Sequence, residues 1–143
     1  VTLTGSAVTL ADTTATSIAA ITATGALTLS SGGAITQSGA IDADSTTSVT
    51  AGANAITLTN AGNDFTGAVG LSNSDAFDIL VTDQNDLDLG TVSVGRNFVV
   101  TASGVVSDGG IVNVEGVTLI DNSGGDNAAI LMDSVSTYTG NVS

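Results

Sequence analysis

Histidine, cysteine, proline, tryptophan and lysine are absent from this chain, and its aromatic residues amount to three Phe and one Tyr. Each absence removes a class of chemistry. Without His there is no imidazole to act as a general base or to ligate a metal. Without Cys there is no disulfide frame, no thiolate nucleophile and no Cys-ligated zinc or iron–sulfur cluster. The compartment stays open on that count, because an oxidising environment permits disulfides without requiring them. One cation, Arg96, stands against fourteen carboxylates, for a formal net charge of -13 over 143 residues. A nucleic-acid surface has to neutralise several phosphates, so that partner is excluded. The same acidity opposes adsorption to an anionic membrane. No apolar run approaches the roughly 18 residues of a spanning helix, so no membrane insertion is expected. No charged segment followed by an apolar stretch marks a signal peptide.

What is present alternates. Val1-Thr2-Leu3-Thr4, Ala26-Leu27-Thr28-Leu29, Ala55-Ile56-Thr57-Leu58-Thr59, Thr91-Val92-Ser93-Val94 and Ile111-Val112-Asn113-Val114 each place apolar residues two apart. That is the period of a strand, and β-branched residues dominate it. Gly, Asn, Asp and Ser break the pattern every few residues, and no capped helical stripe occurs. The fold class is all-β.

The chain also repeats itself. Val8-Thr9-Leu10-Ala11-Asp12 returns as Ile79-Leu80-Val81-Thr82-Asp83, position 8 falling on position 79, a shift of 71. At the same shift Leu27 falls on Phe98, Ile35 on Val106 and Ile41 on Val112. Phe65-Thr66-Gly67-Ala68-Val69 returns as Tyr138-Thr139-Gly140-Asn141-Val142 after a slip of two positions. Residues 1–64 therefore read as a first copy, incomplete at its N-terminal end, 65–137 as a second, and 138–143 as the start of a third. Val1 already lies inside the pattern, as expected of a piece of something longer. About nine short apolar segments per copy, among them Phe77 to Val81, Val105 to Ser107 and Val117 to Ile120, divide into three turns of about 24 residues, the scale of solenoid coils. The expected architecture is one continuous parallel β-helix, a β-solenoid with about three rungs per repeat. An immunoglobulin-like sandwich would need about 100 residues per domain and a more aromatic core.

Ala55 to Gly67, Leu87 to Gly95 and Gly33 to Ile41 resemble the degenerate repeats of filamentous haemagglutinin-like large exoproteins. The resemblance covers essentially the whole chain and rests on the order of low-complexity motifs. It implies a bacterial cell-surface or otherwise extracellular location. It also implies a right-handed parallel β-helix serving as an adhesin shaft, with host or surface glycans bound by other regions of such proteins. The match is to the shaft alone, so it carries over no catalytic or binding residue.

The strongest chemical candidate is the acidic stretch Asp75, Asp78, Asp83, Asp86 and Asp88. With Asn85 it offers hard oxygen ligands, and Asp83, Asn85, Asp86 and Asp88 are the candidate calcium ligands. The string Asp83-Gln84-Asn85-Asp86 resembles a short calcium motif of cadherin-type adhesion domains. It departs from the EF-hand loop and from the nonapeptide calcium solenoid. Against calcium, Asp and Asn also make turns by bonding local backbone, and the first copy keeps only Asp12 at the equivalent position. Catalysis, as in polysaccharide-active β-helix enzymes, would need paired carboxylates such as Asp42 with Asp44 or Asp86 with Asp88. With no His or Lys, and Arg96 in a Gly-Arg-Asn turn, no enzyme activity is expected. Thr-x-Thr pairs at Thr2, Thr22, Thr57 and Thr137 are too irregularly spaced for an ice-binding grid. Asn60 and Asn63 suit amide ladders between rungs, and Asn141-Val142-Ser143 is a lone glycosylation sequon. The reading is a structural shaft that continues through stacked coils and pairs with itself at its ends. A calcium-dependent adhesion repeat is the alternative.

Overall fold

Apolar residues two apart can all point inward only from an extended backbone, and small polar residues close the corners between such segments. The computed structural model describes residues 1–122, 129–132 and 136–143, which hold nineteen strands and no helix. The first turn is β1 (Thr2–Gly5), β2 (Val8–Asp12) and β3 (Thr16–Ile18). The second is β4 (Ala20–Ala23), β5 (Leu27–Ser31) and β6 (Ile35–Gln37), and the third β7 (Ile41–Ala43), β8 (Thr47–Thr50) and β9 (Ile56–Leu58). Then come β10 (Asp64–Phe65), β11 (Val69–Ser72) and β12 (Ile79–Asp83). In the fifth turn β13 (Leu87–Val94) runs around a corner before β14 (Phe98–Ala102). The sixth is β15 (Val106–Asp108), β16 (Val112–Val114) and β17 (Thr118–Asp121), with β18 (Ile130–Leu131) and β19 (Thr137–Tyr138) beginning another.

Each strand pairs in parallel with the strand one turn away, which makes three faces. The first carries β1, β4, β7 and β10, then, past a break in the ladder, the Leu87 end of β13 with β15 and β18. The second carries β2, β5, β8, β11, the Val94 end of β13, β16 and β19. The third carries β3, β6, β9, β12, β14 and β17. This is the expected parallel β-solenoid, of about six turns.

The turn is shorter than the strand count suggests, about 20 residues where nine strands per copy imply about 24. Val8 stacks on Leu27, Leu27 on Thr47 and Thr47 on Val69, so successive steps along the chain are 19, 20 and 22. Tight corners are the reason: only Ser6 and Ala7 separate β1 from β2. Such corners stack backbone on backbone, and a Cβ at Gly39 would run into the carbonyl oxygen of Ala19.

Because turns are this short, a repeat of 71 is not a whole number of them. At that shift β5, β6, β7 and β8 land on β14, β15, β16 and β17 with matching bounds, and β2 lands on β12. Yet β2, β5 and β8 lie on the second face, whereas β12, β14 and β17 lie on the third. With the two ends of β13 counted separately, equivalent strands are ten strands apart on three faces, or three and one-third turns. The second copy is turned by one face about the axis.

The core is a narrow column of stacked side chains. In β5 Leu27, Leu29 and Ser31 are buried while Thr28 and Ser30 are exposed. Phe65 and Phe98 are the largest buried side chains in a column otherwise filled by Ile, Leu, Val and Ala. The apolar segment read from Phe77 begins instead at Ile79, and Phe77, Ile111 and Val117 are exposed. In each case the following residue or next-but-one stacks on an inward neighbour: Ile79 on Ile56, Val112 on Val92, Thr118 on Phe98. Thr also enters the column. Thr47 and its equivalent Thr118 are buried, and neither hydroxyl has a hydrogen-bond partner among the described residues. A buried hydroxyl left unpaired costs stability that Val, of similar shape, does not incur. Thr47→Val and Thr118→Val are each expected to stabilise the chain by about 1 kcal/mol, read as a rise in the urea midpoint at constant slope.

Candidate functional site

Carboxylates on a solenoid face can turn outward to solvent or sideways onto the amides of the adjacent turn. Most of the acidic stretch turns sideways. Asp86 Oδ1 accepts the Val105 N–H at 2.7 Å, and Asp88 Oδ1 accepts the Gly109 N–H at 2.8 Å and the Ser107 hydroxyl at 3.3 Å. Asp78 Oδ1 accepts the Asn97 N–H at 3.1 Å and lies 3.6 Å from Arg96 Nε. That ion pair is solvent-exposed and worth at most about 1 kcal/mol. Asn85 turns to Asp64, donating from Nδ2 to Oδ1 at 3.0 Å, while Gln84 Nε2 donates to the other oxygen at 2.8 Å. Asp75 stands exposed in the loop between β11 and β12, with its backbone in the left-handed region at φ 57°.

Asp83 is set apart by burial. It ends β12 at 1% exposure, where Oδ1 accepts the Asn85 N–H and Oδ2 the Phe65 N–H, both at 3.4 Å. Burial raises its pKa to about 6, against the opposing pull of the Asn85 and Phe65 amides, and the Asp64 charge adds to the rise. Its equivalent Asp12 makes the same local turn, accepting the Thr14 N–H at 2.9 Å and the Thr14 hydroxyl at 3.0 Å. Asp12 is only part-buried, and those two hydrogen bonds hold its pKa below the usual value. The turn therefore repeats between copies even though the rest of the acidic stretch does not.

The four calcium candidates do not share one centre. Asp83 and Asn85 are joined by their turn, whereas Asp86 and Asp88 reach different amides of the next turn. Among the described residues no three acidic groups converge on a point that a metal ion would fill. Asp42 and Asp44 are not a strand pair, because β7 ends at Ala43. Asp42 instead lies in register with Asp64 of the next turn.

The side chain with the most hydrogen bonds near this region is an amide. Asn63 is fully buried and reaches across three turns. Its Nδ2 donates to Gln37 Oε1 at 2.9 Å, Thr82 O at 3.1 Å and Leu58 O at 3.2 Å. Its Oδ1 accepts Gln37 Nε2 at 2.8 Å and the Ile41 N–H at 3.0 Å. Asn60 closes a local turn by accepting the Gly62 N–H. The second copy rebuilds the Asn63 junction with other chemistry. Asp108, equivalent to Gln37, accepts the Ser136 hydroxyl at 3.2 Å, and Ser136 Oγ accepts the Val112 N–H at 3.0 Å. Val112 is the equivalent of Ile41. Only the Gln-to-Asp and Asn-to-Ser coincidence in the two copies could have signalled this from sequence.

Two outer surfaces complete the inventory. A groove of about 410 Å³ lies below the Asn73–Asp75 overhang, floored by Ser93, Asn113 and Thr137 and edged by Glu115. Buried Asn73 holds that overhang, donating to Asn54 O and Phe77 O, both at 3.1 Å, and accepting the Gly95 N–H at 3.1 Å. On the third face Leu80, Val99 and Leu119 stack outward in register. The equivalents on the second face are Thr9, Thr28 and Ser48.

A profile of repeats of unknown function (DUF5649) matches residues 5–72 and again 76–143, the same offset of 71. The chain belongs to that repeat family. No curated protein and no solved structure matches it.

The buried polar groups set the pH and mutational response of the fold. The unfolded chain ionises Asp83 near pH 4, whereas the folded chain resists until about pH 6. The contribution of this group to stability is therefore full below pH 4 and is lost as pH rises through 6, by about 2–3 kcal/mol. In urea titrations from pH 4 to 8, Asp83→Asn should remove that decline relative to the unaltered chain; equal slopes in the two would refute the assignment. Asn63→Ala strands several buried backbone groups and is expected to cost about 3 kcal/mol, whereas Asn60→Ala should cost under about 1 kcal/mol.

Proposed function

We propose that this member of the repeat family is a structural segment of a secreted or bacterial cell-surface shaft, non-catalytic and without a cofactor. It spans distance by continuing one coil upon the next. The observation that supports this most directly is the three-faced parallel ladder, in which each turn pairs with the next on all three faces. The edge of one turn is thereby the template for another. The acidic coat supports the same reading, because like-charged sides repel while ends, being backbone edges, remain able to pair. Carboxylates held by neighbouring amides act here as caps between turns. The adhesive function implied by the resemblance would belong to other parts of such a protein.

Sedimentation and electron microscopy test the reading. Thin rods that lengthen with concentration and keep a constant width support it. A compact monomer that never associates, at any concentration up to the millimolar range, would count against it. The same samples decide the calcium alternative. In the shaft reading, millimolar calcium and its chelation leave the melting temperature unchanged. A saturable rise on titration, lost in Asp86→Asn with Asp88→Asn, would establish a calcium-dependent repeat instead.

A further inference from the structure

The relation between the two copies has a consequence for any longer array. Equivalent strands differ by three and one-third turns, and the faces are interchanged in cyclic order, first to second, second to third, third to first. The copies join through residues 73–75, which lie between the two matched segments and extend the corner after β11. The ladder is not interrupted there on the second and third faces: Thr50 stacks on Ser72, Ser72 on Ser93, and Ile56 on Ile79. The next copy is thus received in register and turned.

We propose that arrays of this unit are three-sided screws, in which each further copy continues the solenoid turned by one face. This rests on the shaft reading above. Each copy advances the axis by about 16 Å, and three copies, or ten turns, return a given residue to its starting face after about 48 Å. A feature carried once per copy is then displayed on every side of the rod. A flat partner meets it only once in three copies, whereas a small or flexible partner finds it whichever way the rod lies. A solenoid with whole-turn repeats would instead gather the same residues along one side. Features confined to one copy, such as the Leu80–Val99–Leu119 strip, are one-sided by the same geometry.

The screw predicts a specific contact in a tandem chain. Join the full chain to a second one, residues 5–143, through a Leu-Ser-Asn-Ser-Asp linker copied from residues 71–75. Val142 pairs with Thr118 as Val69 pairs with Thr47, so Ser143 is the equivalent of Gly70 and the first serine of the linker is the equivalent of Ser72. Thr22 is the equivalent of Ser93, so the Ser72–Ser93 stacking should recur between that linker serine and Thr22 of the second module. The chain has no Cys, so cysteine in place of that linker serine with Thr22→Cys in the second module leaves one possible intramolecular disulfide. The expected result is near-complete oxidation to that disulfide, in a rod whose length by small-angle scattering is about twice that of one module. A doubled rod that does not cross-link would overturn the screw and leave the shaft intact. Two rods scattering independently on a linker would overturn the shaft reading and the screw with it.

Discussion

Every structural property of this chain depends on the backbone hydrogen bonds between successive turns. A short strand has no stability alone, and its polar backbone groups are satisfied only when another turn lies above and below. Stacking at about 4.8 Å per turn satisfies them on all three faces at once. The cost is that the corners also stack, which brings the Gly39 corner against Ala19 and leaves no room there for a side chain.

The same constraint explains the use of polar residues in the interior. Where the corner path departs from regular pairing, an amide, hydroxyl or carboxylate takes the orphaned group. Asn63 does so for Ile41, Leu58 and Thr82, Asn73 for Asn54, Phe77 and Gly95, and Asp83 for Phe65. Each is turned toward backbone of an adjacent turn, and Asp86 and Asp88 of the acidic stretch likewise accept backbone N–H groups of the next turn. The exchange of Gln37 and Asn63 for Asp108 and Ser136 shows that the junction is required to be polar and matched, while the particular residues are interchangeable.

Strand type, parity and repeat were legible in the residues. Alternation identified Leu27, Leu29, Ile56, Leu58, Val92 and Val94 as inward, and all are buried. Alternation failed where two β-branched or apolar residues adjoin. Ile111-Val112 and Val117-Thr118 have no local preference for which one faces in, and stacking on Val92 and Phe98 decides for Val112 and Thr118. The role of Asp83 was partly legible, through its kinship with Asp12. Its burial was not, because only a neighbouring turn supplies the walls that remove water.

The sequence by itself determined that the chain is all-β, that its strands repeat, and that equivalent positions recur at a shift of 71, since period and self-similarity are properties of a string. Which face each strand occupies was decided only by the tertiary structure. That depends on how much chain a complete turn consumes, and corner length is set by stacking one turn on another, a long-range contact that no local pattern records. The shorter turn changes a repeat of three whole turns into one of three and a third, and with it sets equivalent strands of the two copies on different faces.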